Sequence, residues 1–319
     1  MERESCKLYI VVPCYNEEEI LTKKSILIFN NFILNLISNN VVTEDSKVVY
    51  VDDGSKDRTW EIIKENTEHC HLSAGVKLSR NKGHQSALMA GMEYALSHDA
   101  DAIVTIDADL QDDINVIQQM VEKYKEGYEI AYGVRNDRKT DSVFKRTTAN
   151  MFYKMMKFMG AESINNHADF RMMSNTAVRK LFEYKEVNLF LRGIVPQIGY
   201  KSTCLYYSRA KREAGESKYP LKKMLSFAFD GITSFSIKPI KFITMIGAIS
   251  VLISLLGLIY TLISYMSYNT IRGWTSLILS IWFLGGLQLM SIGIVGEYIG
   301  KIYMETKHRP KYFVEETVE

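Results

Sequence analysis

Apolar and polar positions fall into two regimes along this chain. From Lys7 to Gly133, short apolar runs alternate with longer amphipathic stretches. Leu8 to Val12, Val48 to Val51, Val76 to Leu78, Ala102 to Ile106 and Ile130 to Tyr132 have the length and β-branched content of buried strands. Between them, Glu17 to Ile37, Thr59 to Asn66, Gln85 to Leu96 and Ile114 to Tyr124 place apolar residues at three- and four-residue spacing, which predicts helices. This alternation predicts an α/β domain with a mostly parallel sheet covered on both faces. Ligands of such sheets sit beyond the carboxyl ends of the strands.

The second regime is continuous apolarity. Phe242 to Tyr265 and Trp274 to Gly296 contain no charged residue, and each exceeds the roughly twenty residues needed to cross a bilayer. Two membrane spans are predicted over 242–300, joined by a short loop, 266–273, whose only charge is Arg272. Lys222, Lys223, Lys238 and Lys241 precede the first span, and Lys301, Lys307, Arg309 and Lys311 follow the second. The positive-inside rule then puts both termini and the large domain, 1–218, on the cytoplasmic side of the cell membrane, with 301–319 as a cytoplasmic tail. Residues 219–241 interleave Leu221, Met224, Leu225, Phe227, Phe229, Ile232 and Phe235 with polar residues, the pattern of helices lying in the interface.

Composition narrows the partners. A net charge of +2 over 319 residues argues against nucleic acid as a ligand. Cys6, Cys14, Cys70 and Cys204 have neither metal-ligand spacing nor the look of a disulfide framework, which fits a reducing compartment. Met1 to Lys7 is polar and the apolar segment after it is a short strand running into Pro13, so no secretory signal is expected there.

Unusual residues collect at the ends of the predicted strands. The fourth strand runs into Asp107-Ala108-Asp109-Leu110-Gln111-Asp112-Asp113. On an extended strand, Asp107 and Asp109 leave on the same side, as a pair of hard oxygen ligands suited to Mg²⁺ or Mn²⁺ held against a diphosphate. The same acids could instead cap the following helix. The other three strands end in Pro13-Cys14-Tyr15-Asn16-Glu17, Asp52-Asp53-Gly54-Ser55 and Ser79-Arg80-Asn81-Lys82-Gly83-His84. Together they read as a nucleotide cleft: Tyr15 to stack on a base, Asp53 to accept from its edge, Lys82 and a helix N-terminus to oppose phosphate, and His84 at the border. Neither a Gly-x-x-x-x-Gly-Lys-Ser/Thr loop nor a Gly-x-Gly-x-x-Gly turn after the first strand is present, which weakens ATPase and dinucleotide readings.

With these motifs in order, the chain resembles the inverting family 2 glycosyltransferases of the GT-A fold, specifically the polyprenyl-phosphate glycosyltransferases that include bactoprenol glucosyltransferases and dolichyl-phosphate mannose synthase. The resemblance runs nearly end to end. Beyond the four strand ends it covers Asp169-Phe170-Arg171, Gly215-Glu216-Ser217-Lys218-Tyr219 and Gly296-Glu297-Tyr298-Ile299-Gly300-Lys301. It implies a Rossmann-type GT-A domain followed by interfacial helices and two transmembrane helices. It implies that Pro13, Tyr15, Glu17, Val51, Asp53, Lys82, Ala108, Arg135 and Arg146 border the donor, that Asp107, Asp109 and Gln111 surround the metal, and that Arg212 and Lys218 contact the acceptor phosphate. Asp169 stands at the family's base position, with Arg171 steadying phosphate charge; a purely structural contact between the two is the alternative. One departure is Asp113-Ile114, where the family's next helix often opens with prolines; aspartate there also suits the helix dipole.

The implied reaction moves one hexose, glucose from UDP-glucose, to undecaprenyl phosphate on the cytoplasmic leaflet, with inversion at the anomeric carbon and with Mg²⁺ or Mn²⁺ as cofactor. Mannose, N-acetylglucosamine, galactose and an aminoarabinose derivative stay open as the sugar. A processive synthase would carry a Gln-x-x-Arg-Trp motif, which is absent. A catalytically silent membrane scaffold of the same fold is the reading from another class; a flippase or channel would need subunits to assemble around so few spans, and homo-oligomerisation stays open.

Overall fold

The computed structural model describes residue 3 and residues 6–135, 167–186, 190–208 and 274–319, with isolated positions between 240 and 256. Strand β1 (Leu8–Cys14) is buried at all seven positions, as a continuous apolar run at the centre of a sheet must be. It pairs in parallel with β2 (Lys47–Asp52) on one side and β4 (Ala102–Thr105) on the other, and β2 pairs in parallel with β3 (Ser73–Leu78). Beyond β4 lie β6 (His167–Ser174), β5 (Ile130–Arg135) and β7 (Ser202–Tyr207); beyond β3 lies β8 (Val314–Val318). The order across the eight strands is β7-β5-β6-β4-β1-β2-β3-β8. Strand β6 runs antiparallel to both β4 and β5, and β8 antiparallel to β3. The sheet is therefore mostly parallel, as expected, but mixed: β6, entering beside β4, and β8, at the free edge of β3, run against the other six strands.

Side chains alternate across β1. Leu8, Ile10 and Val12 join the main core with Phe29, Ile33 and Leu36 of α2 (Ile26–Ser38), Ile63 of α3 (Thr59–His69) and Val116, Ile117, Met120 and Val121 of α5 (Val116–Lys125). The opposite face receives α4 (His84–Ser97), in which residues from Ala87 to Met92 are buried without a break. Contact there is close enough to require glycine: a Cβ at Gly91 would stand 2.3 Å from Val11 Cγ1 and 2.8 Å from Val51 Cγ2.

The long helix expected over 17–37 is broken. A short α1 (Glu18–Ile20) passes into a π-helical turn, Leu21–Ser25, before α2 begins. The turn buries Ser25 and aims its hydroxyl at the Ala108 carbonyl, 3.0 Å away. Helix α6 (Asn175–Phe182) is capped by the Ser174 side chain, and α7 (Leu191–Gln197) follows.

The chain divides into two units: Met1–Tyr153, Glu162–Tyr219 and Arg309–Glu319 form one, Lys154–Ala161 and Pro220–His308 the other. The C-terminal residues thus belong with the large domain, through β8. In the second unit, residues 274–306 form α8 (Trp274–Thr306), which contains the expected second span. Among the described residues no helix is long and apolar enough to cross a membrane. The interfacial helices and nearly all of the expected first span fall outside the described residues.

Candidate active site

Because β1 to β4 are parallel, their carboxyl ends share one edge, and the pairing directions bring the start of β6 and the ends of β5 and β7 to it as well. Pro13 pairs with Val51 and Cys14 with Asp52, so the ends of β1 and β2 lie side by side. Tyr15, just beyond, is 42% exposed and available to a planar ligand.

Asp53 is buried, and its two oxygens accept from the backbone N–H groups of Lys82 at 2.7 Å and Gly83 at 2.8 Å. Burial pushes this carboxyl upward, against the two amide hydrogen bonds that favour its charged form. The carboxylate thus shapes the loop after β3. Gly54 makes that packing feasible: it has φ +65°, and a Cβ on it would stand 2.5 Å from the Arg80 carbonyl carbon and the Asn81 nitrogen. Nearby, Lys56 N–H donates to Asn16 Oδ1 at 2.9 Å and Glu17 N–H to Thr59 Oγ1 at 2.9 Å. This side of the edge is built from side chains bonded to backbone turns.

The β4–β6 side is built differently. Thr105, the last residue of β4, pairs with Arg171 in the antiparallel ladder, and Asp107 follows two residues beyond the paired stretch. Thr105 Oγ1 also donates to the Asp169 carbonyl at 2.5 Å. Asp169, nearly buried, meets two guanidiniums and an imidazole: Arg171 Nη2 at 2.5 Å, Arg192 Nη2 at 2.9 Å and His84 Nε2 at 3.6 Å. Burial opposes its ionisation, but the hydrogen bond from His84 and the charges of Arg192 and Arg171 prevail and hold Asp169 well below the usual carboxylate range. His84 Nε2 is also 3.6 Å from Asp107 Oδ1. Burial would lower the His84 imidazole, yet these two carboxylates raise it.

Arg171 is 1% exposed and donates to Leu191 C=O at 3.2 Å as well as to Asp169. Arg171, expected to steady phosphate charge, is here a buried partner of Asp169. Arg192, 42% exposed, is the guanidinium that faces outward, and no local pattern in the sequence marks it.

Asp107 and Asp109 supply the metal-suited oxygens. Burial pushes Asp107 up, and although His84 opposes this, Asp169, Asp109 and Asp112 add repulsion that a bound cation would relieve. Among the described residues no group of three or more His, Cys, Asp or Glu side chains is arranged to hold a metal. A two-carboxylate set of this kind fits Mg²⁺ or Mn²⁺ completed by phosphate oxygens and water. Gln111 is buried, its N–H donating to Asp109 Oδ1 at 3.1 Å while its Nε2 has no hydrogen-bond partner. Its observed part is to hold the Asp109 turn, in which Leu110 takes a left-handed φ of 52°. Ala108 is buried, its carbonyl held by Ser25.

Arg135, expected near the donor, reaches this turn from β5. Its guanidinium engages Asp112 Oδ1 at 3.0 Å and Oδ2 at 3.3 Å, and the buried Tyr207 hydroxyl donates to Asp112 Oδ1 at 2.6 Å. Asp112 and Tyr207 lock the Asp107–Asp112 turn to β5 and β7, a connection the sequence pattern leaves unseen. Arg146, Arg212 and Lys218 lie outside the described residues.

Known proteins bear on this geometry. The family model described as "Glycosyl transferase family 2" matches residues 9–182. The uncharacterized glycosyltransferase YkoT of Bacillus subtilis (strain 168) is 52% identical over 99% of this chain and 93% of its own. The bactoprenol glucosyl transferase of Shigella phage SfV is 39% identical over 97% of this chain and 98% of its own. Among solved structures, the mannosyltransferase PcManGT from Pyrobaculum calidifontis, in complex with GDP-Man and Mn²⁺, aligns over 92% of this chain and 87% of its own at 16% identity, with a TM-score of 0.43. Motifs, mixed α/β sheet and near full-length likeness agree, and the chain belongs to glycosyl transferase family 2.

Proposed function

We propose that this glycosyltransferase moves a single glucose from UDP-glucose to a polyprenyl phosphate, undecaprenyl phosphate, at the cytoplasmic face of the cell membrane, with inversion at the anomeric carbon. The observation that carries the reading is that Asp107, just beyond β4, and Asp169, on β6, share His84 along the line between those strands, each 3.6 Å from its Nε2. Carboxylates suited to a metal–diphosphate stand on one side of that line, and an outward-facing guanidinium on the other. The choice of glucose and polyprenyl phosphate is supported by likeness to the bactoprenol glucosyl transferase.

In this mechanism Tyr15 stacks on the donor base, and Asp53 holds the Lys82–Gly83 turn against the donor. A divalent ion on Asp107 and Asp109 would offset the negative charge of the departing diphosphate. The acceptor needs little help to become a nucleophile, because a phosphate monoester has a second pKa of about 6. Asp169 is a weak proton acceptor in its cationic surroundings, so its role is to anchor Arg192 and His84 rather than to act as the base. Attack opposite the leaving diphosphate turns an α-linked donor into a β-linked lipid-phosphate sugar.

Membrane attachment is supported by the two charge-free runs, 242–265 and 274–296. On α8, Leu277, Ile281, Leu289, Met290, Ile292 and Ile299 are more than half exposed, as side chains facing lipid would be. The deciding experiment incubates purified full-length protein in detergent with undecaprenyl phosphate, Mg²⁺ or Mn²⁺ and a panel of labelled nucleotide sugars, and identifies glycolipid by mass. A glucosyl phospholipid is expected. Another hexose would reassign the donor, and no product from any donor with folded protein would favour the silent scaffold.

A further inference from the structure

We infer that Arg192 is the side chain on this edge that receives the acceptor's phosphate monoester, and that Asp169 is the positioning residue that aims it. The inference rests on the reading above and adds a residue to it. Asp169 faces two guanidiniums, and they differ in access: Arg171 is 1% exposed and Arg192 42%. Of the two, Arg192 is the one that presents its charge to solvent.

Arg192 is also held in a fixed attitude. Its Nε lies 3.3 Å from Asp169 Oδ1 and its Nη2 2.9 Å from Oδ2, a two-point contact that sets the plane of the guanidinium. The start of α7 is pinned from both sides: Arg171 Nη1 donates to the Leu191 carbonyl at 3.2 Å, and the Leu191 N–H donates to Gln85 Oε1 at 3.2 Å. A planar fork pre-set in this way suits two oxygens of one phosphate and loses little freedom on binding.

Position in the sheet selects the acceptor over the donor. The ends of β1 and β2, with Tyr15 and Asp53, lie on one side of β4; β6, with Asp169 and Arg192 against it, lies on the other. A nucleophile that inverts the anomeric carbon must enter opposite the leaving diphosphate. With the nucleoside over β1 and β2 and the diphosphate at Asp107 and Asp109, that entry is from the β6 side. The partly buried His84 and Asp107, at 41% and 38% side-chain exposure, lie on the same edge.

The test uses full-length protein in detergent, wild type against Arg192→Gln, Arg192→Lys and Asp169→Asn. Transfer is measured with saturating UDP-glucose and varied undecaprenyl phosphate, and UDP affinity separately by calorimetry. Arg192→Gln is expected to raise the lipid-phosphate KM at least tenfold with UDP affinity within twofold, and Arg192→Lys to recover part of the loss. Asp169→Asn should raise the same KM with UDP binding retained. A loss of UDP affinity at unchanged lipid KM, or no change in either, would overturn the assignment. If wild type transfers no sugar, the functional reading fails by itself, and native mass spectrometry of bound undecaprenyl phosphate still decides: weaker binding by Arg192→Gln supports the assignment, and equal binding overturns it.

Discussion

The two halves of the strand-end edge are organised by different bonds. Over β1, β2 and β3, side chains accept from backbone turns: Asp53 from Lys82 and Gly83, Asn16 from Lys56, and Asp57 from Thr59. Over β4, β5, β6 and β7, charged side chains hold one another: Asp169 with Arg171, Arg192 and His84, and Asp112 with Arg135 and Tyr207. The first arrangement fixes the shape of a loop, as the proposed recognition of a nucleoside requires. The second concentrates charge in a partly dry site, where moving one partner changes the field felt by all the others. The halves should therefore fail in different ways when single residues are replaced.

Asp169→Ala is expected to do the most damage. It leaves Arg171, buried to 1% exposure, without its carboxylate. Removing one partner of a buried ion pair costs about 3–5 kcal/mol. A clear fall in the thermal midpoint of the purified protein should accompany loss of transfer, and an unchanged midpoint would show that Arg171 finds another acceptor. Arg192→Ala, at the exposed end of the same cluster, should leave the midpoint within a degree or two while still impairing transfer.

Gly54→Ala probes the other half, with a smaller stability effect and a different functional one. A non-glycine residue held at positive φ costs about 1–3 kcal/mol. The new Cβ would also press on the Arg80 backbone from 2.5 Å and displace the loop that Asp53 holds. UDP affinity measured by calorimetry should fall while affinity for lipid phosphate persists. Equal losses of both ligands would mean that the halves are one mechanical unit, and the contrast drawn between them would not hold.

How far the chain could be read in advance follows the same division. Strands β1 to β5 announce themselves because each is an apolar run between turn residues, and Asp53-Gly54 and Asp107-Ala108-Asp109 stand out because their chemistry is local. Strand β6 is marked in the sequence only by Asp169-Phe170-Arg171; its insertion beside β4, which makes the sheet mixed, depends on long-range pairing that no periodicity records. Arg192 is 23 residues from the carboxylate it grips, and Tyr207 is 95 from Asp112, so neither partnership has a signature in sequence. The π-helical turn at Leu21–Ser25 was hidden for a related reason: its apolar positions still satisfy a helical pattern, and only the Ser25 contact with Ala108 distinguishes it. Strand β8, Val-Glu-Glu-Thr-Val, has three polar residues at its centre and reads as tail, because an edge strand can be held by charge instead of burial.

That edge yields the smallest and most local effect, one confined to the nucleoside half. Glu316 accepts from Trp60 Nε1 at 3.1 Å and pairs with Lys64 at 2.9 Å, while Glu319 accepts from the Tyr94 hydroxyl at 2.5 Å. The hydrogen bond from Lys64, then that from Trp60, lowers the Glu316 carboxyl, and the Tyr94 hydroxyl lowers that of Glu319. A carboxyl lowered in the folded state stabilises docking above its ordinary value, about 4.3, and that contribution is lost as pH falls through the lowered values. Acid should therefore loosen β8 from β3 and deprotect the amides of Val314–Val318 in hydrogen exchange, with a change in Trp60 fluorescence. Glu316→Gln should weaken this protection at neutral pH and flatten its acid dependence, because the lowered carboxyl is gone. An acid profile identical to that of wild type would mean that the backbone ladder alone holds β8, and the charge-against-burial account of this edge would be wrong.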